Sequence, residues 1–170
     1  MDIVEKARVF ATAAHAAVGQ KRKYSGDDYI VHPARVADMV TEVGGSPQMI
    51  AAAWLHDVIE DTAVTGPQIL DEFGPVVFKF VLELTDTSKP EDGNRATRKA
   101  IDARRLSFAS PEAQEIKLAD LIDNSEDIVQ NDPSFARVFL REKAQLLEVM
   151  TRATDSPLWD QAQEMVKEPA

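Results

Sequence analysis

Apolar residues recur at three- and four-residue spacing along most of the chain: Ile3, Ala7 and Phe10 in the first segment, Val36, Met39 and Val40 in the second, and Phe139, Leu146 and Val149 towards the end. No stretch alternates convincingly with period two, so strands are not expected. Proline follows a capping-type residue at Ser46-Pro47, Ser110-Pro111, Asp132-Pro133 and Ser156-Pro157, and follows His32 as Pro33. Each pair predicts a helix start, because the preceding side chain can cap a free amide and proline has no amide to leave unsatisfied. Gly44-Gly45, Gly66-Pro67, Phe73-Gly74-Pro75 and the polar run 89–94 are the predicted breaks. The pattern predicts an all-α bundle of about eight helices. No repeat, low-complexity segment or long linker divides it, so a single domain over residues 1–170 is expected.

Composition narrows the chemistry. The 170 residues include no cysteine, which excludes disulfides, thiolate ligands and cysteine nucleophiles and points to the cytoplasm. Any metal must be held by histidine and carboxylate. The charged start, Met-Asp-Ile-Val-Glu-Lys, does not read as a secretory signal, and no apolar run approaches the roughly 20 residues that span a bilayer, so no membrane partner is expected. A net charge of −10 argues against general nucleic-acid binding. Basic residues nevertheless cluster at Lys21-Arg22-Lys23 and along Arg95, Arg98, Lys99, Arg104 and Arg105, which reads either as solvated helix ends or as two patches that hold a small polyanion.

The densest chemistry lies in Ala-Trp-Leu-His-Asp-Val-Ile-Glu-Asp-Thr, residues 53–62. On a helix, Glu60 falls one turn above His56 and Asp61 one turn above Asp57, while Leu55, Val58 and Ile59 face the core. Four ionisable groups on one patch with a buried back are the raw material of a metal site. Of the other two histidines, His15 sits among alanines and reads as a packing residue with one hydrogen bond. His32 stands where a ring can project from a helix end. In Ile-Lys-Leu-Ala-Asp-Leu-Ile-Asp-Asn, residues 116–124, Asp120 and Asn124 share a stripe with Ile116, beside an apolar face of Leu118, Leu121, Ile122 and Ser125. Asp120 is thereby expected at the edge of the core, where a carboxylate is exposed, paired with a base or bound to a cation.

Four blocks in order, Lys-Tyr-Ser-Gly-Asp-Asp-Tyr-Ile-Val-His-Pro (23–33), the 53–62 run, Phe-Gly-Pro-Val-Val (73–77) and Lys-Leu-Ala-Asp-Leu-Ile-Asp-Asn (117–124), resemble the HD hydrolase domain of the RelA/SpoT alarmone enzymes. In length the chain is similar to the stand-alone small alarmone hydrolases. The resemblance implies that His32, His56, Asp57 and Asp120 bind one Mn²⁺, with other divalent transition metals as substitutes, and that Glu60 and Asp61 are the catalytic acidic pair. It also implies a nucleotide contact for Lys23, Ser25, Tyr29 and Asn124, with Gly26 in the same loop; Arg95, Arg98 and Lys99 are candidates for gripping further phosphates. The implied reaction is removal of the 3′-pyrophosphate from ppGpp or pppGpp, giving GDP or GTP and pyrophosphate. Lys23 stands where many bifunctional enzymes carry arginine, Leu121 where they carry a basic residue, and Asp127 where they carry a small hydroxyl residue. Three other readings therefore stay open: a pppApp-type alarmone substrate, a nucleoside monophosphate substrate, and a non-catalytic nucleotide sensor. The expected partner is a small-molecule nucleotide; no oligomeric partner is assigned.

Overall fold

The computed structural model describes residues 1–167; residues 168–170, the end of the span expected to form the domain, lie outside the described residues. The chain divides into two compact units, Met1–Thr85 and Asp86–Ala170. All regular structure among the described residues is helical apart from an isolated antiparallel bridge between Lys21 and Asp28, so the all-α expectation is borne out.

The first unit holds α1 (Ile3–Ala17), α2 (Val31–Glu42), α3 (Pro47–Leu55), the single turn α4 (Val58–Asp61) and α5 (Gly66–Leu84). Helix α3 is its centre and packs on α1, α2 and α5. Ala51, Ala52 and Ala53 are all fully buried, and such small side chains let three helices approach one backbone closely. Ala7 and Ala11 of α1, Val36 and Val40 of α2, and Ile69, Val77 and Val81 of α5 complete the packing at zero exposure. Burial of each larger aliphatic side chain contributes about 1.5–3 kcal/mol. Helix α5 is interrupted as its sequence predicts: Gly74 adopts φ +83°, a left-handed value that suits glycine, and Pro75 follows.

The second unit holds a short 3₁₀ turn (Pro90–Asp92), α6 (Arg95–Ser107), α7 (Pro111–Asn131), α8 (Pro133–Val149) and α9 (Pro157–Val166). Helix α7 packs on α8 and α9, and α6 packs on α8. The fully buried Gln114 ties these parts together: its amide donates to the Leu106 carbonyl at 3.0 Å and accepts from the Arg152 amide at 2.9 Å. Among the described residues no helix is long and apolar enough to cross a membrane.

All five predicted proline starts open a helix, with Ser46, Ser110, Asp132 and Ser156 each accepting a backbone amide as N-cap. At the fifth, α2 begins at Val31, so His32 and Pro33 lie inside its first turn rather than flanking it. The first turn leaves its amides unbonded within the helix, which is why proline is tolerated there as well. Val149, part of the apolar spacing that marks α8, is exposed on a cavity wall.

Candidate functional site

The continuous helix expected through residues 55–61 is broken at the pair that matters. Helix α3 ends at Leu55, His56 caps it, and Asp57 takes φ −105° and ψ −1° before α4 begins. The His56 ring reaches back to the Ala53 carbonyl at 2.6 Å, the acceptor that an unbroken helix gives to the amide of residue 57. Since a carbonyl only accepts, Nδ1 of His56 carries a proton, which leaves Nε2 on the side of Asp57. The Asp61 amide still bonds the Asp57 carbonyl at 3.0 Å, so the one-turn offset survives the break.

His32 is completely buried and His56 nearly so, with ring centroids 5.2 Å apart and edge to face. Both rings address the same carboxylate oxygen: Asp57 Oδ2 lies 3.1 Å from His56 Nε2 and 3.7 Å from His32 Nε2. Candidate donor atoms of His32, His56 and Asp57 fall within 4.8 Å of one another. The Tyr29 hydroxyl donates to that same oxygen, Asp57 Oδ2, at 2.6 Å and so holds the carboxylate in place. An N–H anchored on a backbone carbonyl and a carboxylate held by a neighbouring hydroxyl are the outer contacts that orient metal ligands.

Glu60 and Asp61 are exposed on α4. Partial burial of the carboxyl, and then the Asp57 carboxylate, push Asp61 above the ordinary carboxylate value of 3.8, while the Gln20 amide, donating at 3.2 Å, pulls it back. In the loop between α1 and α2, Lys23 and Ser25 are exposed, Lys23 lies 5.1 Å over the Tyr24 ring, and Ser25 Oγ accepts the Asp27 amide. Arg22 is buried there, with its guanidinium 5.9 Å from the Tyr29 ring centroid.

In the second unit, Asp120 is buried rather than at the edge of the core, at 5 % exposure. Lys117 donates to one of its oxygens at 2.7 Å and Asn124 to the other at 2.9 Å. A cavity of about 630 Å³ opens on the same unit, lined by Lys99 of α6, Lys117 of α7 and Lys143 of α8 among others. Lys143 lies 4.7 Å over Phe139. Burial, and then the Lys117 and Lys99 charges, lower Lys143 from 10.5 to about 8, against Asp120 and Asp86, which raise it. Arg95 is engaged by Glu142 through two bonds of 2.7 and 2.9 Å. Of the basic residues expected to act together, Lys99 lines the cavity and Arg98 does not.

The sequence reading therefore missed Gln20, Lys117 and Lys143. The spacing from Lys117 to Asp120 was a usable helical signal. Gln20 and Lys143 carried none, since each acts through partners distant in sequence.

The HD-domain profile matches residues 7–147 and so runs across the junction of the two units. Among curated proteins, a "probable guanosine-3′,5′-bis(diphosphate) 3′-pyrophosphohydrolase" of Synechocystis is 34% identical over 143 residues, covering 82% of this chain and 18% of that protein. A guanosine-3′,5′-bis(diphosphate) 3′-pyrophosphohydrolase of Aquifex aeolicus is 34% identical over 124 residues, covering 71% and 17%. The GTP pyrophosphokinase rsh of Brucella ovis is 36% identical over 121 residues, covering 71% and 16%. The matched region is thus less than a fifth of each relative. Among solved structures, a metazoan ortholog of SpoT described as hydrolysing ppGpp superposes with a TM-score of 0.84 at 24% identity, over 97% of this chain and 94% of that one. Protein lmo0812 of Listeria monocytogenes gives 0.66 at 21% identity over 80% and 96%; at these identities both likenesses speak to fold alone. On the extent of the profile match, together with the His56-Asp57 pair at the break between α3 and α4, the chain belongs to the HD-domain family.

Proposed function

We propose that this protein is a Mn²⁺-dependent hydrolase that removes the 3′-pyrophosphate from ppGpp- or pppGpp-type nucleotides, giving GDP or GTP and pyrophosphate. The observation that carries the reading is the convergence of His32 and His56 on Asp57, one turn before Glu60 and Asp61. The names of the Synechocystis and Aquifex relatives support the substrate. The profile match across residues 85 and 86 supports one HD domain built from both units, spanning residues 1–170. Nucleotide chemistry of this kind, in a chain without cysteine, fits the cytoplasm.

The donors fit a divalent ion. Two imidazoles, each with Nε2 turned to one carboxylate oxygen, form a mixed nitrogen and oxygen set suited to Mn²⁺, Fe²⁺ or Zn²⁺. Asp120 is assigned as the fourth ligand on its motif and its burial. When bound, such an ion supplies positive charge to a phosphoryl oxygen and makes hydroxide accessible near neutral pH.

The chain's own residues do the rest. Tyr29 and the Ala53 carbonyl hold Asp57 and His56 in register. Glu60 and Asp61 share the proton transfers: one accepts the proton of the attacking water, the other delivers a proton to the 3′-oxygen. The water oxygen bonds to phosphorus as the bond from phosphorus to the 3′-oxygen breaks, so pyrophosphate leaves and the ribose keeps its oxygen. Lys23, Ser25, Tyr29, Asn124, Arg98 and Lys99 are assigned to the nucleotide, with Tyr29 acting also through Asp57 and Asn124 through Asp120. Lys117 and Lys143 add cationic charge to the Lys99 cavity.

Chromatographic product analysis with ppGpp, pppApp and simple nucleotides in the presence of Mn²⁺ tests the reading. Pyrophosphate and GDP from ppGpp are expected. Turnover confined to pppApp moves the substrate to an adenine alarmone, release of inorganic phosphate from monophosphates moves it to a phosphatase, and binding of ppGpp without turnover leaves a sensor.

A further inference from the structure

His15 is 1% exposed, yet it is more than filler. Its Nδ1 lies 2.9 Å from Gln20 Oε1, and the Gln20 amide nitrogen lies 3.2 Å from Asp61 Oδ2. Gln20 is pinned by its backbone on both sides: its amide bonds the His15 carbonyl at 3.3 Å, and its carbonyl accepts the Tyr29 amide at 3.1 Å. Gly19, at φ +65°, turns the chain out of α1 so that residue 20 folds back beneath residue 15. The His15 ring rests on Tyr29, with centroids 4.9 Å apart, and Tyr29 in turn holds Asp57.

The chemistry of these groups gives the chain of contacts a direction. An ionised carboxylate only accepts, so Gln20 must turn its NH₂ to Asp61 and its carbonyl oxygen to His15. That oxygen needs a donor, which requires a proton on His15 Nδ1. The other ring nitrogen, Nε2, is buried with no hydrogen-bond partner, and a bare acceptor is tolerated there more readily than an orphaned N–H. We propose that His15 and Gln20 are positioning residues for Asp61: the buried ring fixes which way round the Gln20 amide sits, and the amide holds the Asp61 carboxylate in line for proton transfer. The functional half of this proposal rests on the assignment of Asp61 to the proton-transfer pair; the hydrogen-bond half does not.

Two measurements separate those halves. In Zn²⁺-loaded protein, nitrogen-15 NMR of the histidine rings, with His15 assigned by its loss in His15→Gln, is expected to show the Nδ1–H tautomer. The Asp61→Leu variant, which removes the acceptor that orients the amide, is expected to give mixed tautomers at His15. An Nε2–H tautomer in the wild type, or an unchanged tautomer in Asp61→Leu, overturns the relay whether or not ppGpp is the substrate. With Mn²⁺ and ppGpp, Gln20→Leu is expected to lower kcat by roughly 10- to 100-fold with KM nearly unchanged and metal content intact. His15→Gln, which keeps an N–H donor, should retain more activity than His15→Leu. Wild-type kcat in Gln20→Leu overturns the positioning role, whereas failure of the wild type to turn over ppGpp counts against the proposed function alone.

Discussion

The turn at 56–61 in the first unit and the lysine-lined cavity in the second pose opposite electrostatic problems of the same kind. In the first, partial burial and the Asp57 carboxylate push Asp61 up. In the second, burial and two neighbouring ammonium groups draw Lys143 down to about 8. Each region crowds like charges at a cost to the folded state, and a fold keeps such a cost where a ligand of opposite charge offsets it. A cation would offset the first and an anion the second, and the metal-dependent nucleotide hydrolase proposed above needs both. The two differ in rigidity as well. His56 and Asp57 are held by a backbone carbonyl and a hydroxyl, whereas the lysines sit on flexible stems that accommodate more than one anion geometry.

The contrast breaks most severely in the first region. Asp57→Ala is expected to remove both metal and activity, read by elemental analysis and nucleotide turnover on the same sample; full metal stoichiometry in that variant would falsify the ligand assignment. Glu60→Gln should keep the metal and lose about 10²- to 10⁴-fold in kcat, because it exchanges a proton-transfer group for an amide of the same shape. Steady-state kinetics with near wild-type kcat would remove Glu60 from the mechanism. In the second region, Lys99→Ala should raise KM for ppGpp by about 10-fold with metal content unchanged, the expected loss of one charge-assisted contact. An unaltered KM would detach the cavity from the substrate.

The smallest effect concerns stability. The unfolded chain holds the Lys143 proton up to about pH 10.5, and the folded chain releases it near pH 8. Between those values the unfolded state binds more protons, so stability rises with pH across the window, and the penalty is fully present below it. Lys143→Met should therefore raise Tm at pH 7 by about 2–4 °C for each kcal/mol recovered and flatten the rise between pH 8 and 10. Thermal melts that keep the wild-type slope would show that Lys143 is not the titrating group.

Much of this was legible in the chain, for identifiable reasons. The helices announced themselves through Ser-Pro and Asp-Pro starts and through Gly74-Pro75, all local signals. The His56-Asp57 pair was visible because its members are adjacent, and Asp120 because an acidic residue interrupts an apolar helix. The break between α3 and α4 was not, since it arises where a side chain competes for a backbone carbonyl, and residue type alone does not reveal that competition. Tyr29 read as a nucleotide contact, and its bond to Asp57 needed the loop to fold back across 28 positions of sequence. The cavity takes one lysine from each of three helices, Lys99, Lys117 and Lys143, and their convergence is not visible in any one helix alone.

Hydrolysis of ppGpp in oxygen-18 water, with both products weighed by mass spectrometry after less than one turnover, addresses the chemistry most directly. Attack of water on phosphorus predicts the label in pyrophosphate and none in GDP. Label in GDP, or a labelled product that is inorganic phosphate, would contradict cleavage of the 3′-pyrophosphate by the groups around His56 and Asp57.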